Sequence, residues 1–326
     1  MGKEIDIESH LLKTGPKKGP NQNVLGCLLA FISGVMFVTN KFIIQWLQLD
    51  YTDIMLVRST IQMALIGSLC YLNNLSLFPM QETSKKTRFF LVFQGLPYAL
   101  MITMGIECVR LMPLGDASTL ILSAPIFTIC FAALCLKHDF GPFRIAFAIL
   151  LMVGTILVVQ PPLIFDTTDH ETKYKLYYVG AILGISTAVI DGIVNISINF
   201  CIEVHYLVLL WWSGIGGLLV ALISATFNTE AKILSLDIVD ITYQHWIGYI
   251  VMTFFGLVAY FSMTRALQLI DPTVVSFIRS LEIILAYVVQ VLMMQQSLDY
   301  LACIGAALVL FSVGSVALQD FCKEKK

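Results

Sequence analysis

A backbone crosses a hydrocarbon bilayer only when its own polar groups pair with one another, which restricts it to closed β-barrels and α-helices. Ten apolar stretches of about twenty residues fill this chain, and ~20 residues rising ~1.5 Å each match a hydrocarbon core of ~30 Å. Helical spans are therefore expected at roughly 24–44, 52–72, 89–109, 116–136, 142–160, 177–199, 204–226, 246–267, 273–294 and 298–319. They form two sets of five whose later members read alike. Gly115-Asp116-Ala117-Ser118-Thr119 runs into Ser123-Ala124-Pro125 and on to Gly154, while Ile270-Asp271-Pro272-Thr273-Val274 runs into Ser280-Leu281-Glu282 and on to Gly314. An odd number of spans per set inverts the second set in the membrane. The expected fold class is an all-α integral membrane protein of ten transmembrane helices in two inverted five-helix repeats, with a cavity near the midplane between them.

Composition agrees. The chain is 58% hydrophobic and 13% charged, and its mean hydropathy is +0.83, far from a solvated domain. A net charge of -2 gives no footing for nucleic acid. The eight cysteines sit mostly inside apolar runs without metal-ligand spacing, so small core residues are expected and a disulfide framework is not. Residues 1–23 are polar and the first apolar run is long enough to remain as a span, so no cleaved signal is expected.

Five segments follow: a tail at 1–23, a first repeat at 24–160, a linker at 161–176 opened by Pro161-Pro162, a second repeat at 177–319 and a tail at 320–326. Ten spans put both tails on one side. That side collects thirteen of the twenty Lys and Arg residues, against Arg110, Lys173, Lys175 and Lys232 on the other. The positive bias predicts cytosolic termini, without resolving plasma membrane from endomembrane.

Lys41, Arg58 and Arg279 remain, each inside a span. A charge held there costs a few kcal/mol or more, so it is paired, lines water or meets a ligand. Arg58 shares a helix face with Gln62, and Arg279 lies three residues before Glu282 in the ninth span. Either Arg279 and Glu282 form an internal pair or they serve a substrate. The first repeat has the uncharged Leu122 and Pro125 at the matching positions, so packing of the repeat does not require the charges. Arg279 is then expected to hold a substrate anion, with Glu282 competing for the same guanidinium. Lys41, near the outer end of its helix, is expected to snorkel. In the sixth span Thr187, Asp191, Asn195 and Asn199 recur every four residues beside Gly180, Gly184, Ala188 and Gly192, a polar line next to a close-packing one. Asp191 and Asn195 are candidates for substrate contact or for interhelical hydrogen bonds. Pro97 and Pro125 each remove a backbone donor and mark expected kinks or gates in the third and fourth spans.

At this point the residues resemble a known group. The paired repeats look like EamA domains of the drug/metabolite transporter superfamily. Leu114-Gly115-Asp116-Ala117 through Ser123-Ala124-Pro125-Ile126-Phe127, then Leu136-Lys137, then Val158-Val159-Gln160-Pro161-Pro162, is similar to subgroup G of solute carrier family 35. Arg265-Ala266-Leu267-Gln268, then Arg279, Glu282 and Gln290, extend the likeness, which covers residues 24–319. The resemblance implies a central cavity among helices three, four, eight and nine with parts of one, two, six and seven, and peripheral helices five and ten. It implies that Arg58, Ser123, Pro125, Arg279 and Glu282 border that cavity. Superfamily members carry nucleotide sugars, phosphorylated sugars, amino acids or other organic anions, so it does not name the substrate.

No His-Glu-x-x-His zinc pattern, Gly-x-Ser-x-Gly elbow or P-loop occurs, so neither an enzyme nor a cofactor or metal is expected. The leading expectation is a secondary transporter of a small polar metabolite, an organic anion, working by alternating access. The alternative is a non-transporting adaptor of another membrane protein, with a channel third because no helix repeats rings of charge. The expected partners are the small-molecule substrate and membrane lipid. Ala302, Gly305 and Ala306 in the tenth span and Ala146 and Gly154 in the fifth allow a close-packed homodimer or close packing within one chain.

Overall fold

The computed structural model describes residues 20–47, 50–78, 84–112, 114–136, 142–159, 176–226, 243–294 and 300–324. The tails as far as residue 19 and beyond 324, most of the linker with its Pro161-Pro162, and residues 227–242 lie outside them. Helices occupy the positions of all ten apolar runs: α1 Pro20–Leu47, α2 Tyr51–Leu72, α3 Lys85–Phe93, α4 Gly95–Leu111, α5 Leu114–Ile121, α6 Ala124–Leu136, α7 Pro142–Val159, α8 Tyr177–Phe200, α9 Tyr206–Ala225, α10 Tyr243–Leu269, α11 Pro272–Arg279, α12 Glu282–Met294 and α13 Tyr300–Glu324. Among the described residues, seven helical stretches are long and apolar enough to cross a membrane, and two shorter apolar helices span Pro142–Val158 and Cys303–Val316. The molecule is an all-helical integral membrane protein.

Helix starts follow from capping residues. Asp50 accepts from the Thr52 and Asp53 amides at 2.8 and 3.4 Å, and Asp271 accepts from Thr273 at 2.8 Å with Pro272 in the first turn. Three rods are interrupted. The third breaks at Gln94 between α3 and α4, the fourth at 122–123 between α5 and α6, and the ninth at 280–281 between α11 and α12. Pro97 and Pro125 each fall in the first turn of a second half-helix, where a missing N–H costs nothing. The expected kinks fall at these short interruptions, across which backbone hydrogen bonds still run.

Packing runs in pairs. α1 packs on α10, α8 on α4, α2 on α9, and α7 on α13, while α8 also meets α5 and α6, and α1 also meets α11 and α12. The glycine face of α8 works as expected: a Cβ at Gly184 would sit 2.8 Å from Leu120 Cβ, and one at Gly192 would sit 3.1 Å from the Phe127 carbonyl carbon. The small residues of the peripheral helices are used within one chain. A Cβ at Gly305 would meet the Gly154 carbonyl at 2.6 Å, so this contact is no longer a cue for a homodimer. Of the seven described cysteine side chains, Cys70, Cys108 and Cys201 are buried, Cys27 is half-buried, and Cys130, Cys135 and Cys303 are exposed on the apolar flank. The expectation of core cysteines therefore holds for fewer than half of them.

Candidate functional site

The ninth rod supplies two charges because it is broken. Arg279 is the last residue of α11 and Glu282 the first of α12, so a cation sits at a helix C-terminus and an anion at an N-terminus, each favoured by the local dipole. Through 280–281 the backbone keeps a ladder of hydrogen bonds to residues three or four back, and the two side chains take different partners. Arg279 Nη1 donates to Asp191 Oδ1 and Oδ2 of α8 at 3.0 Å each, and Glu282 Oε1 accepts from Lys41 Nζ of α1. Glu282 therefore bonds Lys41 and not the Arg279 guanidinium, while its charge still acts on that guanidinium. Lys41 does not snorkel; it is held inside by this pair, and its side chain is largely buried. Arg279 also lies over the Phe37 ring, 5.2 Å from its centroid, while Arg279 Nε and Glu282 Oε2 are buried without partners.

Arg58 of α2 is held differently. Its Nη2 donates to the Tyr98 hydroxyl and, at 3.3 Å, to the Gly256 carbonyl of α10, and its guanidinium lies 5.5 Å from the Tyr98 ring centroid. Gly256 permits this approach, since a Cβ there would sit 3.3 Å from Arg58 Cζ and 2.8 Å from Asn40 Nδ2. Among the described residues no carboxylate pairs with Arg58. It is nevertheless only 3% exposed.

These groups converge on a cavity of about 60 Å³. Lys41, Arg58, Asp191 and Arg279 border it with Asn40, Thr187 and a larger set of apolar side chains from α1, α4, α5 and α10. Behind Arg58, outside the lining, the Tyr98 and Tyr260 rings stack with centroids 3.6 Å apart. The Tyr260 hydroxyl donates to Gln94 Oε1 at 2.8 Å, and Gln94 Nε2 donates to the Leu209 carbonyl at 2.9 Å. Ile44, Ile54, Ile106, Tyr249 and Met252 pack as one apolar cluster, and Arg110 pairs with Glu107 at 2.7 Å and Asp50 at 3.5 Å.

Other expected site residues stand apart from the cavity. Asn195 Nδ2 donates to Thr128 Oγ1 at 3.3 Å and Ser276 Oγ at 3.0 Å, tying α8 to α6 and α11; of its two expected uses, the hydrogen-bonding one is seen. Ser123 sits in the fourth-rod break and donates to the Leu120 carbonyl at 2.7 Å, because a hydroxyl at an interrupted helix satisfies a freed backbone acceptor. Neither Ser123, Asn195 nor Glu282 borders the cavity, nor do Pro97 and Pro125. The seventh rod, α9, contributes no lining residue either, since it packs behind α2 and α4, where a Cβ at Gly95 would meet the Trp212 carbonyl at 2.6 Å. Sequence reasoning missed Asn40, Tyr98 and Tyr260. Asn40 carries a signal, being a buried amide one residue before Lys41; the tyrosines look like ordinary core aromatics.

Comparison with known proteins agrees with this architecture. Residues 23–160 match the EamA-like transporter family. Over 315 residues the chain is 24% identical to solute carrier family 35 member G1 of Homo sapiens, covering 95% of this chain and 83% of the relative, and 24% identical over 315 residues to solute carrier family 35 member G1 of Mus musculus, with 82% of that relative covered. A solved crystal structure superposes with a TM-score of 0.70 at 14% identity, covering 90% of this chain and 96% of that one; likeness at that identity concerns the fold alone. The first half of this chain thus matches a transporter-family domain. The chain resembles subgroup G of solute carrier family 35 along nearly its whole length.

Proposed function

We propose that this chain is a secondary transporter that moves a small polar metabolite, an organic anion, by alternating access of the cavity between two inverted five-helix repeats, 24–160 and 177–319. The pattern of packing supports the repeat. Exchanging each rod with its counterpart five places along turns the α1·α10 contact into α8·α4, maps α2·α9 and α7·α13 onto themselves, and turns the contacts of α8 with α5 and α6 into those of α1 with α11 and α12. The breaks at 122–123 and 280–281 fall at counterpart places, and discontinuous helices at a repeat interface are what secondary transporters use to expose polar groups to a cavity.

The observation that carries the anion reading is Arg58, a buried cation bordering the cavity with no carboxylate paired to it among the described residues. A desolvated guanidinium left with donors to spare is costly unless an anion completes it. Arg279 and Asp191 border the same space as a closed pair, and Glu282 acts on it through Lys41. The test is uptake by the purified chain in liposomes, with trapped metabolites read by mass spectrometry. An anion accumulated by the wild type and not by Arg58→Gln supports the reading. Identical contents in the two preparations would reject it.

A further inference from the structure

The charges around the cavity set the valence of what fits there. Three cations, Lys41, Arg58 and Arg279, face two carboxylates, Glu282 and Asp191, and the pairs Lys41–Glu282 and Arg279–Asp191 consume four of these five charges. One positive charge is left over, on Arg58. The other charged groups nearby stay outside the lining of the cavity: Glu107, Arg110 and Asp50 associate with one another, Asp53 faces the Tyr249 hydroxyl at 3.5 Å, and Arg265 donates to Gln268. A monovalent anion would leave the cavity neutral. A divalent one would leave an uncompensated negative charge out of water, at a cost that its own second charge cannot recover.

Size and surface narrow the class further. A volume of about 60 Å³ corresponds to roughly four to six waters at ~10–15 Å³ each. That is the scale of a carboxylate carrying a few carbons, and far below a nucleotide sugar. The wall facing Arg58 is apolar, with Phe37, Ile44, Met101, Ile106 and Met252 among its members, so it offers contact area and few hydrogen bonds to a substrate body.

We infer that the cavity selects monovalent organic anions with a compact apolar body, the acid group on Arg58 and the carbon chain against the α1, α4 and α10 wall. This rests on the transport reading above and sharpens its substrate class. Arg58 retains Nη1 and Nε for the acid group, since Nη2 serves Tyr98 and Gly256, and a planar fork of donors suits a carboxylate. Each added methylene is expected to tighten binding about fourfold until the wall is covered.

The full chain, purified in detergent, is titrated by thermal shift with butanoate, hexanoate, butanedioate, hexanedioate and uridine diphosphate glucose. The expected order places hexanoate about fifteenfold tighter than butanoate, with hexanedioate at least tenfold weaker than hexanoate and the nucleotide sugar without effect. Arg58→Lys is expected to bind more weakly and keep the preference for one charge over two, since it retains the cation and loses the fork. Tighter binding of either dianion or of the nucleotide sugar, abolished by Arg58→Gln, would overturn the valence assignment and leave anion transport standing. Failure of every anion to bind, together with equal metabolite uptake by wild type and Arg58→Gln, would overturn both.

Discussion

Arg58 and Gly256 work as one unit, because the guanidinium reaches the α10 carbonyl only where no Cβ intervenes. Alanine is the better helix former by about 1 kcal/mol, and the atoms its Cβ would meet are ends of side chains, Asn40 Nδ2 and Arg58 Cζ, which can shift. Gly256→Ala is therefore expected to fold with an unchanged melting temperature while displacing Arg58, weakening anion uptake about tenfold, or ~1.4 kcal/mol. Uptake equal to wild type would show that the guanidinium position is immaterial. The Arg279–Asp191 pair calls for a different experiment. Arg279→Gln leaves the Asp191 carboxylate buried without its cation, a loss of about 3–5 kcal/mol, so reduced uptake alone says nothing about substrate. Adding Asp191→Asn removes the orphaned charge and is expected to restore most of the stability, measured by melting in detergent. A double variant no more stable than Arg279→Gln would mean that the pair does not balance charge.

At the level of elements, interruption matters more than helix placement. Gln94 sits in the third-rod break and ties both its neighbours: it accepts from Tyr260 and donates to the Leu209 carbonyl. Gln94→Leu strands a buried hydroxyl and a carbonyl, and is expected to cost about 1–3 kcal/mol, seen as a lowered melting temperature; an unchanged one would show that water or another side chain takes over the bonds. Helices fall on all ten apolar runs, and seven of the described stretches are long and apolar enough to cross a bilayer, because length and hydropathy are both local properties. Pro97 and Pro125 announced the third and fourth breaks, because a missing N–H is written in the residue type. The interruption at 280–281 has no proline or glycine to announce it, and Arg279 and Glu282 bond to other helices, not to each other. Long-range pairing cannot be read from spacing. Asp191 lies 88 residues from Arg279 and Lys41 lies 241 from Glu282, so the charged residues were legible as a group and their matching was not.

The whole molecule combines a shell of exposed apolar side chains with a small charged interior, near which lie a tyrosine stack and an apolar cluster. Which end faces the cytosol follows from the basic residues. If the bias toward the tails is read correctly, the turn after α2 is cytosolic, and the Asn74-Leu75-Ser76 sequon stays unglycosylated, with no mobility change on endoglycosidase treatment. A glycan at Asn74, or cleavage of the N-terminal tail by protease added from the lumenal or outer side, contradicts that orientation. The account as a whole stands on the cavity being a site that is exposed to each side in turn. Counterflow tests this most directly: liposomes holding the purified chain are loaded with the unlabelled anion that the uptake screen returns, diluted into a trace of labelled anion, and followed in time. Alternating access predicts a transient overshoot of label above equilibrium, saturable in the internal anion and absent from Arg58→Gln vesicles. Label that enters linearly with external concentration, never exceeds equilibrium, and does so equally in both preparations would contradict the account.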